Sequence, residues 1–227
     1  MQLNRRNLLK IATMSGAVLA LGGRFAQAQG GQTLRVGLST YPPHLRPWVN
    51  VGYSGHLLCS LINRTLINYD EQGQLVGELA ESWENETPET WRFTLRESHF
   101  HDGSPVTAQD VEWTFQQIQA DGSGAYMFDA LRPVTGFEVI DERNFRLTTD
   151  EPLATLPALM TFPFLSILKA GSTDAEDQGI GAGPYRIAYA EKGVSIELEP
   201  NEHYFKPGLP TLAGITITPY VDESARV

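Results

Sequence analysis

The 227-residue sequence has a single cysteine, Cys59, and this scarcity excludes several classes of protein. One thiol forms neither an intrachain disulfide nor a thiolate metal cluster. Because Cys59 stands inside the apolar stretch HLLCSLI, we expect a buried and unreactive thiol rather than a catalytic one. The fold must therefore be stabilised by its core, and a chain of this size buries roughly 70% of its unfolded surface.

Hydrolase and nucleotide-binding motifs are also absent. The sequence has no Gly-x-Ser-x-Gly elbow, no His-Glu-x-x-His pair, no phosphate-binding loop and no Cys-x-x-Cys. The glycines of GIGAGPY are followed by Pro184, where a phosphate-binding helix would have to begin. These absences argue against an exported hydrolase, although a pair of carboxylates brought together by the fold, as in glycosidases, remains an open alternative.

Basic residues are few, since 17 lysines and arginines stand against 27 aspartates and glutamates. Four of the 17 lie within residues 1–28, which contain no acidic residue. Without that segment the chain has 13 basic and 27 acidic residues, a net charge of −14. Such a surface repels nucleic acid and anionic lipid headgroups, so we expect no nucleic-acid partner.

Residues 1–28 have the composition of an export signal rather than of a folded segment. The pair Arg5-Arg6 precedes an apolar run at 11–23, and AQA at 26–28 supplies the small residues of a cleavage site. The run is shorter than the roughly 20 residues that a spanning helix needs. The arginine pair followed by NLLK resembles a twin-arginine signal, with an ordinary secretory signal as the alternative. We therefore expect a periplasmic protein.

Short apolar patterns predict a mixture of strands and helices after the signal. Alternation with a period of two predicts strands, and leucines at helical spacing predict a helix. The predicted strands lie at 33–39, 67–75 as a hairpin, 90–96, 137–148 as a second hairpin, 194–199 and 214–220, and a helix is predicted at 54–66. Strands and helices without strict alternation indicate the α/β class with a mixed sheet, α+β-like in character.

The stretch HFHDGSPVTAQDVEWTF, at 99–115, predicts a strand, a tight turn and a capped helix. Thr107 and Asp110 have the spacing of a capping box, with an aspartate in the place of the usual glutamate. His99 and His101 would share a face of a strand, and such a pair is able to bind a metal ion. No third ligand is evident nearby, so we interpret the stretch as structural and expect no metal site or cofactor.

Four stretches in order also carry a family likeness: LVGELAESWE at 75–84, WRFTLRESHFHDGSPVTAQDVEWTF at 91–115, GAGPYRI at 181–187 and EPNEHYFKPGLPTLAGITI at 199–217. Together they resemble extracellular solute-binding protein family 5, the peptide, nickel and oligosaccharide receptors of ABC importers. The resemblance implies a periplasmic-binding-protein-like receptor that is monomeric and not an enzyme. It would close two lobes on a peptide or small molecule and deliver it to a membrane permease.

The resemblance further implies a domain arrangement. Residues 29–227 correspond to the N-terminal lobe, with a small mixed subdomain inserted at about 53–165. Family members are roughly twice as long, so we expect the second lobe to be missing. If both lobes together bind near −8 kcal/mol, one lobe is expected to retain about −4 kcal/mol. A truncated receptor and a non-binding or degenerate fragment are therefore both open.

The resemblance places the ligand cleft beyond the end of the opening strand, where ligands favour the crevice. Seven residues, in the turn after that strand, in FPFLS and in GAGPYRI, are the candidate ligand-binding residues: Thr40, Tyr41, Pro42, His44, Phe164, Gly183 and Tyr185. Aromatic side chains at such a site offer apolar area together with a polar group. The alternative is that they pack a proline-rich loop or the core.

Overall fold

A computed structural model describes residues 31–50, 52–172 and 179–220 of the chain. The predicted export signal at 1–28 lies outside the described residues. The strands are β1 (Thr33–Leu38), β2 (Ile67–Tyr69), β3 (Leu75–Gly77), β4 (Ala80–Thr87), β5 (Thr90–Leu95), β6 (Val134–Val139), β7 (Asn144–Thr149), β8 (Tyr185–Glu191), β9 (Ser195–Pro200) and β10 (Gly214–Pro219). The helices are α1 (Gly52–Ile62), α2 (Ala108–Gln119), α3 (Phe128–Leu131) and α4 (Leu156–Leu159).

One four-stranded sheet joins the two ends of the described chain, in the order β1-β10-β9-β8. The strands β1 and β10 are parallel, with Thr33 opposite Gly214, and the other pairs are antiparallel. Alternate residues of these strands, such as Ile215 and Ile217, are buried against Leu58 and Ile62 of α1. The segment between β1 and β8 therefore leaves this sheet and returns to it.

A second sheet lies within that intervening segment, in the order β4-β5-β7-β6, with all neighbours antiparallel. Phe93 and Phe145 stack face to face across β5 and β7, with ring centroids 5.2 Å apart. Helix α2 covers the sheet, and its Val111, Phe115 and Ile118 belong to the same buried core. The mixed α/β architecture predicted from the sequence is confirmed.

The capping box predicted for α2 is confirmed. The Asp110 carboxylate accepts hydrogen bonds from the backbone N–H of Thr107 at 2.8 Å and from its hydroxyl at 2.7 Å. The second carboxylate oxygen accepts the N–H of Ala170 at 2.9 Å. A local helix-start signal thus also attaches a distant loop to the helix, and the negative charge lies at the favourable end of the helix dipole.

Several elements differ from the predictions made from sequence. Strand β4 was not predicted, because its sequence AESWENET is mostly polar and exposed on a sheet edge. Strand β8, which begins at Tyr185, was not among the predicted strands either. Helix α1 ends at Ile62 rather than at residue 66, and at that end the Arg64 guanidinium donates to the carbonyls of Ser60 and Asn63. Within the described ranges, no helix combines the length and apolarity needed to cross a membrane.

Candidate ligand-binding site

A cluster of aromatic side chains surrounds a cavity of about 370 Å³ at the start of α1. Gly52, Tyr53, His56, Tyr126 and Phe164 line it. The ring centroids of Tyr126 and Phe164 are 5.3 Å apart, and those of His56 and Phe164 are 6.0 Å apart, both in edge-on arrangements. We refer to these five residues as the aromatic cavity.

Three separate parts of the chain position these rings. Tyr53 and His56 lie in the first turns of α1, which begins at Gly52 with a φ of +77°. The backbone N–H of Tyr126 donates to the carbonyl of Trp48 at 2.8 Å. Phe164 lies in a 3-10 turn at Pro163–Leu165, and the fixed φ of Pro163 at its first position favours a tight local bend. The cavity thus exists only because these three segments meet.

The exposure of the rings indicates a binding surface rather than a core. Tyr53 is 74% exposed and Tyr126 is 62% exposed, whereas Phe164 is 8% exposed and forms the floor. Exposed aromatic rings next to one another offer apolar faces and phenolic hydroxyls to a bound molecule. Such a surface is suited to an apolar or aromatic side chain, or to the face of a sugar ring.

The four candidate residues in the turn after β1 lie beside α1 without lining the aromatic cavity. The hydroxyl of Thr40 is 2.6 Å from that of Ser54, which connects the turn to the first turn of the helix. Pro42 is buried and His44 is exposed. Tyr41 packs against the core below the first sheet, and burial raises the pKa of its phenol.

Gly183 and Tyr185 lie at the other end of α1 and support the backbone there. The N–H of Gly183 donates to the carbonyl of Ile62 at 3.0 Å, and its carbonyl accepts the Asn201 side chain at 2.8 Å. Tyr185 is buried, which raises its pKa. Of the seven candidates, the structure therefore places Phe164 in the aromatic cavity and the others elsewhere. Their contact with ligand stays a prediction.

His99 and His101, the two histidines of the stretch at 99–115, lie at a tight turn. His99 forms an isolated bridge with Pro105, and the N–H of His101 donates to the carbonyl of Gly181 at 2.9 Å. Burial lowers the pKa of His101 to about 4, so its imidazole is neutral at physiological pH. Among the residues that the structure describes, no three metal-ligating side chains are grouped together.

Tyr53, His56 and Tyr126 were not among the candidates from sequence. Tyr53 and His56 are three residues apart and therefore share a face of the helix, a spacing that the sequence does contain. Tyr126 is more than sixty residues further along the chain and follows a Gly-Ser-Gly stretch without any periodic pattern. Its contribution depends on tertiary contacts and has no local signal.

The discontinuous sheet, with an aromatic cavity at the start of the first long helix, defines one lobe of a two-lobed binding-protein fold. Residues 74–227 match the family model of bacterial extracellular solute-binding proteins, family 5 Middle. The chain belongs to this family. The resemblance deduced from the four sequence stretches is thereby confirmed.

Named relatives extend this assignment. The chain is 28% identical over 218 residues to the probable peptide ABC transporter periplasmic-binding protein y4tO of Sinorhizobium fredii, covering 90% of this chain and 40% of that protein. It is 26% identical to the probable D,D-dipeptide-binding periplasmic protein DdpA of Escherichia coli, covering 88% and 42%. The chain thus spans about 40% of the length of these curated relatives.

Two solved structures of binding proteins share the fold of this chain. The binding protein AgaA from A. tumefaciens R10, in complex with agropinic acid, superposes with a TM-score of 0.80 at 32% identity. The match covers 86% of this chain and 41% of AgaA. Unliganded, open MppA, the periplasmic murein tripeptide-binding protein, has the same fold with a TM-score of 0.78 at 24% identity. These relatives are named as binding proteins, not as enzymes.

Proposed function

We propose that this chain contributes the N-terminal ligand-binding lobe of a periplasmic solute-binding protein, which delivers its ligand to an ABC permease. The observation that carries the proposal is the aromatic cavity, where Tyr53 and Tyr126 are held exposed above Phe164. A family 5 fold that exposes adjacent aromatic rings at the start of a helix offers a preformed surface for a small molecule.

The domain assignment and location are part of the same proposal. Residues 1–28 act as a twin-arginine signal, residues 29–227 form the lobe, and the segment at about 53–165 is its inserted subdomain. The protein acts as a monomer that binds without chemical turnover. Support comes from the arginine pair at the start of the sequence and from relatives whose names describe periplasmic binding.

Peptides are the favoured ligand class, ahead of oligosaccharides and metal chelates. The cavity presents aromatic rings and one imidazole, and its lining among the described residues includes no aspartate, glutamate, lysine or arginine. Apolar and aromatic peptide side chains pack well against such rings, whereas a metal chelate is held by several charged or coordinating groups, of which the described lining offers one imidazole. Two relatives are named for peptide or dipeptide binding, which favours the same class.

The experiment is a set of nuclear magnetic resonance titrations of residues 29–227 with tri-tyrosine, maltotriose and the nickel–histidine complex. We expect tri-tyrosine to shift the resonances of Tyr53 and Tyr126 with an affinity near millimolar, about −4 kcal/mol, because one lobe supplies half of a closed site. Micromolar affinity would contradict the one-lobe arrangement. Binding of none of the three would favour the alternative of a non-binding fragment.

A further inference from the structure

Asn50 connects the three segments that carry the walls of the aromatic cavity. The residue is 0% exposed, although its side chain is a polar carboxamide. A buried carboxamide is stable in a protein where its donors and its acceptor are paired. The partners of Asn50 therefore show which parts of the chain this side chain holds together.

The first group of contacts fixes the proline-rich loop after β1. Asn50 Oδ1 accepts the backbone N–H of His44 at 3.2 Å, and its Nδ2 donates to the carbonyl of Arg46 at 3.0 Å. The backbone N–H of Asn50 donates to the carbonyl of Pro47 at 3.1 Å and closes a 3-10 turn at Pro47–Val49. Proline has no backbone N–H, so such a loop forms few main-chain hydrogen bonds and depends on side chains like this one.

The second group of contacts joins the same side chain to α1. Asn50 Nδ2 also donates to the Cys59 thiol, with 3.7 Å between nitrogen and sulfur. A Cβ added at Gly55 would lie 2.9 Å from both the Cβ and the Oδ1 of Asn50. Glycine inside a helix is less favourable than alanine, and here it leaves the room that the amide occupies. Tyr53 and His56 of the aromatic cavity are on this helix.

The turn at Pro47–Val49 extends the connection to the other two walls of the cavity. The carbonyl of Trp48 accepts the N–H of Tyr126 at 2.8 Å, and the turn packs against the 3-10 turn that contains Phe164. The Trp48 ring is buried, and its centroid is 6.0 Å from that of Trp113 on α2. The turn is thus anchored in the core and supports both Tyr126 and Phe164.

We propose that Asn50 is a positioning residue of the binding site, which sets the spacing of the aromatic rings through the Pro47–Val49 turn. This inference rests on the proposed function, because it assigns Asn50 a role in binding at the aromatic cavity. Without the amide, the turn is no longer tied to α1, and Tyr126 and Phe164 lose their fixed separation. A preformed site binds more tightly than a mobile one, because less ordering is required when the ligand binds.

The experiment compares Asn50→Ala with Thr149→Ala by nuclear magnetic resonance. Thr149 is also a buried polar residue, and its hydroxyl donates to the carbonyls of Glu89 and Glu151. It is not among the described residues that line the aromatic cavity. Two quantities are measured on folded protein. One is the nuclear Overhauser effect between the rings of Tyr126 and Phe164 without ligand, and the other is the affinity for tri-tyrosine.

We expect Asn50→Ala to lose the Overhauser effect between the two rings and to bind tri-tyrosine about tenfold more weakly. Thr149→Ala should keep both quantities at the values of the unaltered chain. Both variants lose buried hydrogen bonds, so both should have a lower unfolding midpoint. A purely structural role of Asn50 would lower the midpoint and leave the cavity of the folded protein unchanged.

Gly55→Ala is a second variant, in which Asn50 itself is kept. Its added Cβ presses on the amide from the side of α1, while the helix gains from the loss of an interior glycine. We expect the same loss of the Overhauser effect and weaker binding, with an unfolding midpoint closer to that of the unaltered chain. This variant decides the question if Asn50→Ala does not fold.

Two results would overturn the inference. An unchanged Overhauser effect and affinity in the folded variants at Asn50 and Gly55 would show that the turn keeps its place without the amide. An equal loss in Thr149→Ala would show that any destabilisation of the lobe disturbs the cavity. The Overhauser measurement needs no ligand, so it tests the positioning even if tri-tyrosine does not bind and the proposed function fails.

Discussion

The carboxylate of Glu78 lies 2.5 Å from the ammonium group of Lys206, although the two residues are 128 positions apart in the chain. Glu78 is 4% exposed and stands just before β4, whereas Lys206 follows β9. Arg64 Nε also approaches this carboxylate, at 3.6 Å. A buried carboxylate is tolerated where such partners surround it. The contact therefore connects the second sheet to the returning segment.

Loss of this contact should destabilise the whole lobe. Lys206→Met removes the nearer cation and leaves Glu78 buried with Arg64 alone, which we expect to lower the free energy of unfolding by about 2 kcal/mol. The value is below that of a fully buried pair because Lys206 is 38% exposed. Urea unfolding measures it. The exposed pair of Asp129 and Arg132 is the control, and Arg132→Met there should cost only a few tenths of a kcal/mol.

Truncation of the exposed tyrosine in the aromatic cavity should weaken binding without affecting folding. Tyr126→Ala removes a ring whose centroid is 5.3 Å from that of Phe164. Because Tyr126 is 62% exposed, little core packing is lost. We expect about a tenfold loss of affinity for tri-tyrosine and an unchanged unfolding midpoint. Tyr189→Ala, at an exposed tyrosine on β8 outside the cavity, is the matched control. Equal affinities of the two variants would count against the cavity.

His101 should make the stability depend on pH between about 6.5 and 4. Burial lowers the pKa of its imidazole from 6.5 to about 4 in the folded protein, so between these values the unfolded chain binds the proton more tightly. The contribution of the neutral His101 to the free energy of unfolding is therefore fully present above pH 6.5. It is lost as the pH falls toward 4, and the loss amounts to up to about 3 kcal/mol. The free energy of unfolding, measured across this range, should fall less in His101→Gln. A parallel decline in both proteins would show that other groups cause it.

Gly183 should tolerate no side chain. A Cβ at this position would lie 2.3 Å from the carbonyl carbon of Ile62, and backbone is unable to move aside cheaply. We expect Gly183→Ala to reduce the free energy of unfolding by about 3 kcal/mol. Gly73→Ala is the comparison, because a Cβ there meets open space at a φ of +74° and should cost only about 1 kcal/mol. Similar unfolding midpoints for the two variants would contradict this account.

The elements that the sequence predicted well depend on neighbours close in the chain. The Thr107–Asp110 capping box spans three residues, and the turn of the hairpin between β6 and β7 lies within a few residues. The alternation of β5 is equally local. Strand β4 was missed because it is an edge strand whose polar residues meet solvent, so no apolar alternation is required of it.

The residues of the candidate site also differ in how far the sequence could predict them. Phe164 was chosen from its apolar stretch and lies in the aromatic cavity, whereas Tyr126 was not chosen. Gly183 and Tyr185 belong to a motif that the family resemblance brought forward, and both pack against other parts of the lobe. A motif indicates the family of a chain, but it does not state whether a particular residue contacts the ligand or supports the backbone.

The amino-acid sequence by itself determined the class of the protein, its acidic surface, the inert position of its single thiol and the start of α2. Each of these depends on composition or on residues a few positions apart. Only the tertiary structure decided that Tyr53, Tyr126 and Phe164 share one cavity and that Glu78 meets Lys206. The physical reason is that burial and pairing depend on distances in space, and residues far apart in the chain come together only when the sheets form.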